Sequence, residues 1–156
     1  MLVIDVPGVR RFELEHLVLD LNGTLAFDGE LVPGMRELLD ALRPTVRATV
    51  ITADQHGTAA RLAEDLDIGV HVITPGGEGA QKLALVSELG PERVVAVGNG
   101  ANDAEMLARA ALGIGVIGPE GASAAALAAA DVVVSCIEDA FGLLIEPRRL
   151  VATLRR

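Results

Sequence analysis

Asp20 ends the apolar run Leu17-Val18-Leu19 and is followed at once by Leu21-Asn22-Gly23-Thr24-Leu25, so a carboxylate leaves a buried strand and meets a tight turn. A short apolar run bounded by turn residues reads as a parallel strand buried on both faces. Ligands of open α/β sheets bind beyond the carboxyl ends of such strands. An Asp placed there either presents a nucleophile or caps the turn through its own side chain. Three more polar sets stand at the junctions of elements. They are Thr52 after Ala48-Thr49-Val50-Ile51, Lys82 at a helix start, and Gly98-Asn99-Gly100-Ala101-Asn102-Asp103 after Val94-Val95-Ala96-Val97. Taken singly, Thr52 reads as a cap and Lys82 as a solvated helix residue. As an ordered set they suit phosphoryl transfer: a carboxylate attacks, a hydroxyl and backbone N–H groups hold the oxygens, a Lys balances their charge, and a second carboxylate shares a divalent cation with the first.

The elements that would bring these residues together alternate along the chain. Leu2 to Val6 and Phe12 to Glu15 read as a hairpin around Pro7-Gly8 that leads into the Asp20 strand. Strands are expected over Val46 to Thr52, Gly69 to Ile73, Arg93 to Val97, Leu112 to Ile117 and Val132 to Val134. Helices are expected from Pro33-Gly34 to Leu42, over Thr58 to Leu66, Gln81 to Leu89, Asp103 to Ala111 and Ala122 to Ala129, and from Glu138. Strands alternating with helices predict a parallel sheet covered on both faces, a three-layer doubly wound α/β domain occupying residues 1–156 as one unit. Its strand ends converge on one edge.

Composition narrows the partners. A formal net charge of −9 opposes nucleic acid and anionic membrane as ligands, because phosphate neutralisation needs a basic face. The apolar stretches are short and broken, and the N-terminal residues lack a signal-peptide core, so a cytoplasmic location is expected. With no Trp, no Tyr and three scattered Phe, stacking platforms are scarce. Lone Cys136 reads as a small, buried or half-buried residue. The Arg-rich tail from Pro147 reads as a helix whose late cations suit the helix dipole. Gly113-Ile114-Gly115-Val116-Ile117-Gly118 fits G-x-G-x-x-G but lies within an expected strand, which argues against a dinucleotide loop. His16, His56 and His71 lack metal-ligand spacing, and His56 reads as a helix-start residue that could also reach the Thr52 region.

The ordered motifs resemble the haloacid dehalogenase (HAD) superfamily of aspartyl-phosphate enzymes, from Leu17 to about Val134. Leu112-Gly113-Ile114-Gly115-Val116 and Ala129-Ala130-Asp131-Val132-Val133 add to the likeness, which is nearest to small soluble proteins similar to the phosphorylation domain of P-type ATPases. The resemblance implies that Asp20 becomes an aspartyl phosphate and that Thr52 and Lys82 bind the phosphoryl group. Backbone N–H groups at Leu21, Asn22 and Ala53 would complete the cradle. Asp20, the backbone carbonyl of Asn22 and Asp103 would hold Mg²⁺, a hard cation that selects oxygen ligands.

This chain departs from that pattern twice. The acid and base Asp, two residues after the nucleophile, is Asn22 here, and an amide gives up no proton at neutral pH, a loss of roughly 10²- to 10⁴-fold. The usual metal-binding Asp of the fourth motif is Asn99, which ligates with a dipole instead of a charge. The intervals 26–34 and 55–81 have no room for a cap domain, so the resemblance implies an uncovered site that uses a neighbouring subunit of a homo-oligomer or a macromolecular substrate. Two readings follow: a Mg²⁺-dependent phosphatase acting on a phosphorylated small molecule or macromolecule, slow for want of an acid at position 22, or a weak or inactive relative that binds phosphate or protein.

Overall fold

The computed structural model of the chain describes residues 1–54 and 57–156. Strands β1 (Leu2–Val6) and β2 (Arg10–Leu14) form an antiparallel hairpin in register from Leu2 opposite Leu14 to Val6 opposite Arg10. Its alternation puts Ile4, Val6, Phe12 and Leu14 into the core and Asp5, Arg11 and Glu13 into solvent, the period-two pattern of a half-buried ribbon.

Strand β3 (His16–Asp20) follows, then a two-stranded flap of β4 (Ala26–Phe27) and β5 (Glu30–Leu31), and helix α1 (Met35–Leu42). Next come β6 (Arg47–Thr52), α2 (Thr58–Leu66), β7 (Gly69–Val72), α3 (Glu78–Leu89) and β8 (Val94–Gly98). A turn of 3-10 helix (Ala101–Asp103) runs into α4 (Ala104–Arg109), followed by β9 (Leu112–Val116), α5 (Ala124–Ala129), β10 (Val132–Val134), α6 (Ile137–Ile145) and α7 (Pro147–Leu154).

Six of these strands make one parallel sheet in the order β10-β9-β8-β3-β6-β7. The chain winds outward from β3 through β6 and β7, then returns to the other side of β3 and winds outward through β8, β9 and β10. The carboxyl ends of β3 and β8 therefore flank a topological switch point, where the loops diverge and leave a crevice. Alternation within β3 feeds two cores. Leu17 and Leu19 join α1, α2, α6 and α7, while Val18 faces α3, α4 and α5 with Leu85, Val86, Met106 and Leu107. The three-layer doubly wound expectation holds, with the N-terminal hairpin in place, and no cap domain interrupts the described residues of the two intervals.

Local details differ from the sequence reading. The interval after Leu25, to which the sequence assigns no strand, holds the β4 and β5 flap, paired Ala26 to Leu31 and Phe27 to Glu30. Helix α3 begins at Glu78, directly after Gly77 at φ 70, which moves Lys82 from the helix start to its second turn. Ser123 caps α5, its hydroxyl accepting from the Ala126 N–H at 3.0 Å, so that helix starts two residues late. Arg148 and Arg149 occupy the first turn of α7, while the late cations Arg155, its C-cap residue, and Arg156 directly follow its last turn, at the end that the dipole favours. Gly113 does lie within a strand, and a Cβ there would sit 2.5 Å from the Leu107 carbonyl oxygen, so this glycine lets α4 pack against β9.

Candidate active site

Asp20, at the end of β3, leaves the sheet into the turn at Gly23, whose φ of 80 favours glycine. In register, Asp20 lies opposite Ile51, which puts Thr52 one residue further along the neighbouring strand at the same edge. Lys82 shares the buried face of α3 with Leu85 and Val86, the i, i+3, i+4 spacing of one helical stripe. It is 2% exposed and cannot be the solvated residue that its local sequence allowed.

Its ammonium bridges two carboxylates. Lys82 Nζ donates to Asp20 Oδ1 at 2.7 Å and to Asp103 Oδ1 at 2.6 Å. The other oxygen of Asp103 accepts from the backbone N–H groups of Asn99 at 3.0 Å and Gly100 at 2.9 Å, which ties the loop after β8 to the same cluster. Burial pushes the Asp20 carboxyl up to about 7, with nearby Asp103 adding to the rise and Lys82 opposing it. For Lys82 burial lowers the pKa, but the two carboxylates outweigh it and hold the ammonium above its ordinary value. With all three groups ionised the cluster carries one net negative charge.

Thr24, a hydroxyl residue four positions after Asp20 to which the sequence assigns no role, is buried beside it. Its Oγ1 lies 3.5 Å from Asp20 Oδ2 and 3.4 Å from Asn99 Oδ1. One hydroxyl proton serves only one of those acceptors at a time. Both oxygens face the Thr24 hydroxyl with lone pairs to spare, and the cluster carries an unbalanced negative charge. Both features fit a hard divalent cation, although among the described residues no three His, Cys, Asp or Glu side chains lie close enough to hold a metal by themselves.

The remaining expected residues stand at the rim. Thr52 is buried, and its hydroxyl accepts from the Asp54 N–H at 3.2 Å. The side chain of Asp54 in turn accepts from the Ala59 N–H at the start of α2, at 3.0 Å. Asn22 is exposed and lines, with Leu21, Ala53, Asp54, Thr58 and Leu62, a cleft of about 400 Å³. The structure thus joins Asp20, Lys82, Asp103 and, through Thr24, Asn99, while Thr52, Ala53 and Asn22 border them without a direct hydrogen bond to that cluster. His56 lies outside the described residues. None of the helices among the described residues is long and apolar enough to cross a membrane.

Known proteins resemble the chain in sequence and in fold. The chain is 44% identical over 84 residues to an uncharacterized protein of Methanocaldococcus jannaschii, covering 51% of this chain and 90% of that protein. It is 32% identical over 123 residues to part of the copper-transporting ATPase ccc2 of Schizosaccharomyces pombe, covering 70% of this chain but only 13% of the transporter. The 3-deoxy-D-manno-octulosonate 8-phosphate phosphatase of Moraxella catarrhalis, solved with magnesium, phosphate and KDO, shares the fold with a TM-score of 0.68 at 19% identity, covering 92% of this chain and 94% of that one. A model of the haloacid dehalogenase-like hydrolase family matches residues 4–111, a span that takes in Asp20, Thr52, Lys82 and Asp103. The chain belongs to the haloacid dehalogenase-like hydrolase family.

Proposed function

We propose that this chain is a Mg²⁺-dependent phosphatase that works through an aspartyl phosphate on Asp20. The observation that carries the reading is the buried bridge of Lys82 to Asp20 and Asp103 at the switch point of the sheet. An ammonium and two carboxylates are costly to bury for stability alone, since hydrophobic replacements of such groups are often neutral or stabilising. Membership of a hydrolase family and a fold shared with phosphatases support the same conclusion.

In this reading an Asp20 carboxylate oxygen attacks the phosphorus of a phosphomonoester as the bond to the leaving oxygen breaks. Water then attacks the phosphorus of the acyl phosphate, releasing inorganic phosphate and returning the carboxylate; solvent supplies the proton that the leaving oxygen takes up and accepts the one that the attacking water gives up. Lys82 and the Thr52 hydroxyl neutralise and orient the phosphoryl oxygens, helped by the N–H groups of Leu21, Asn22 and Ala53. Asp103 holds Lys82 and the loop after β8 in place. Asp20, the carbonyl of Asn22, Asn99 and Asp103 would hold Mg²⁺; the ion would offset charge on the phosphoryl oxygens. Asn22 cannot protonate the leaving group or take a proton from water, so turnover is slow and the phosphoenzyme is long-lived. The open cleft beside Asn22 admits a phosphorylated small molecule or an extended substrate. Asn22 also favours a second reading, a non-hydrolytic module that binds phosphate or a protein partner.

Release of phosphate from an aryl phosphate and a phosphometabolite panel, with and without Mg²⁺, tests the proposal. Wild-type protein turns over and Asp20→Asn does not; equal turnover by the two proteins would reject Asp20 as the nucleophile.

A further inference from the structure

Asn99 leaves the cation site one full negative charge short of what a carboxylate would supply there. The loop after β9 brings a carboxylate beside the Asn99 amide. Gly23 is the point of contact: a Cβ built on it would lie 2.5 Å from Glu120 Oε2, 2.7 Å from Asn99 Nδ2 and 3.1 Å from Asn99 Oδ1. Glu120 and the Asn99 amide are therefore within about 5 Å of one another, over a turn that only a glycine leaves open. Among the described residues Glu120 joins no ion pair that would give it a structural task.

The loop is held there by Asn99 itself. Asn99 Nδ2 donates to the Gly121 carbonyl at 3.2 Å, and the Asn99 carbonyl accepts from the Ser123 N–H at 2.8 Å. The first bond also orients the amide, turning its oxygen towards the Thr24 hydroxyl. An Asp at position 99 has no N–H to offer and would repel the Gly121 carbonyl. The amide thus exchanges a charge at position 99 for an anchor on the loop that delivers one at position 120. At the other end of that loop, a Cβ on Gly118 would meet the Phe27 ring at 3.3 Å, so the flap packs closely against it.

We propose that Glu120 supplies the second negative charge of the divalent-cation site, facing the hydration shell of the ion in place of the carboxylate that Asn99 replaces. Mg²⁺ keeps several of its waters when bound, so an exposed carboxylate acts on it through them. The proposal rests on reading this site as a Mg²⁺ site, and the test separates the two.

Titration calorimetry with Mg²⁺ alone on the purified chain compares wild type, Asp20→Asn, Glu120→Gln and the double variant Glu120→Gln with Asn99→Asp. Glu120→Gln should raise the Mg²⁺ dissociation constant by about tenfold or more, the range seen when groups just outside the direct ligands are removed. The unfolding midpoint without Mg²⁺ should not change, because the side chain is exposed. The double variant should recover most of the lost affinity. Wild type without Mg²⁺ binding, or Asp20→Asn binding as tightly as wild type, would overturn the metal reading itself. Binding that depends on Asp20 but changes less than twofold in Glu120→Gln, or a double variant no better than Glu120→Gln, would overturn the role of Glu120 alone.

Discussion

Replacing Lys82 by Met removes the only cation within hydrogen-bond distance of two buried carboxylates among the described residues while keeping most of the side-chain volume. Lys82 is 2% exposed, Asp103 0% and Asp20 8%, and both contacts are shorter than 3 Å, so little water screens the cluster. Removing one partner from a buried pair costs about 3–5 kcal/mol, and here two carboxylates lose their partner together. In a domain of this size that corresponds to a melting temperature lower by roughly 6–20 °C. Part of the loss can be escaped by protonation, because the Asp20 carboxyl already stands at about 7 with the ammonium present and rises further without it. The destabilisation measured by urea unfolding in metal-free buffer should therefore be larger at pH 8.5 than at pH 6. Adding Asp103→Asn to Lys82→Met should restore more than 1 kcal/mol, since the amide oxygen still accepts from the Asn99 and Gly100 N–H groups. A Lys82→Met protein within 1 kcal/mol of wild type at pH 8.5, or no recovery in the double variant, would refute the charge-balance argument.

Asn22→Asp supplies the missing acid and base and should raise phosphomonoester turnover by roughly 10²-fold; because Asn22 precedes Gly23, intact mass must show no deamidation of the wild type. Asp20→Asn should stabilise the metal-free protein more at pH 8.5 than at pH 5. The folded pKa of Asp20 is raised from 3.8 to about 7, so its contribution is present below the lower value and lost as pH rises through the upper one, a swing on the order of a few kcal/mol read from paired unfolding curves. Light scattering at high concentration should report a homo-oligomer if a second copy covers the open cleft, and a monomer would leave a macromolecular substrate as the covering partner.

Much of the layout was legible along the chain because it depends on local chemistry. Apolar runs ending in Gly-rich turns mark parallel strands wherever they occur, so Asp20, Thr52 and the Gly98 to Asp103 loop could be assigned to strand ends from their neighbours alone. The strand spans came within a few residues of those observed and the start of α2 fell at Thr58 as expected, while the starts of α3 and α5 shifted by three and two residues, because caps depend on individual backbone angles. Position 82 shows where local reading stops. Its neighbours allow a solvated lysine, and only the packing of α3 against β8 and α4 turns that face inward and sets the ammonium between carboxylates 62 and 21 residues away. Thr24 could be seen as a motif residue, yet its place between Asp20 and Asn99 depends on a contact spanning 75 positions. Glu120 had no sequence signal at all. Its carboxylate reaches Gly23 because β9 lies one strand beyond β8, and an adjacency made by sheet order leaves no trace in the spacing of residues along the chain.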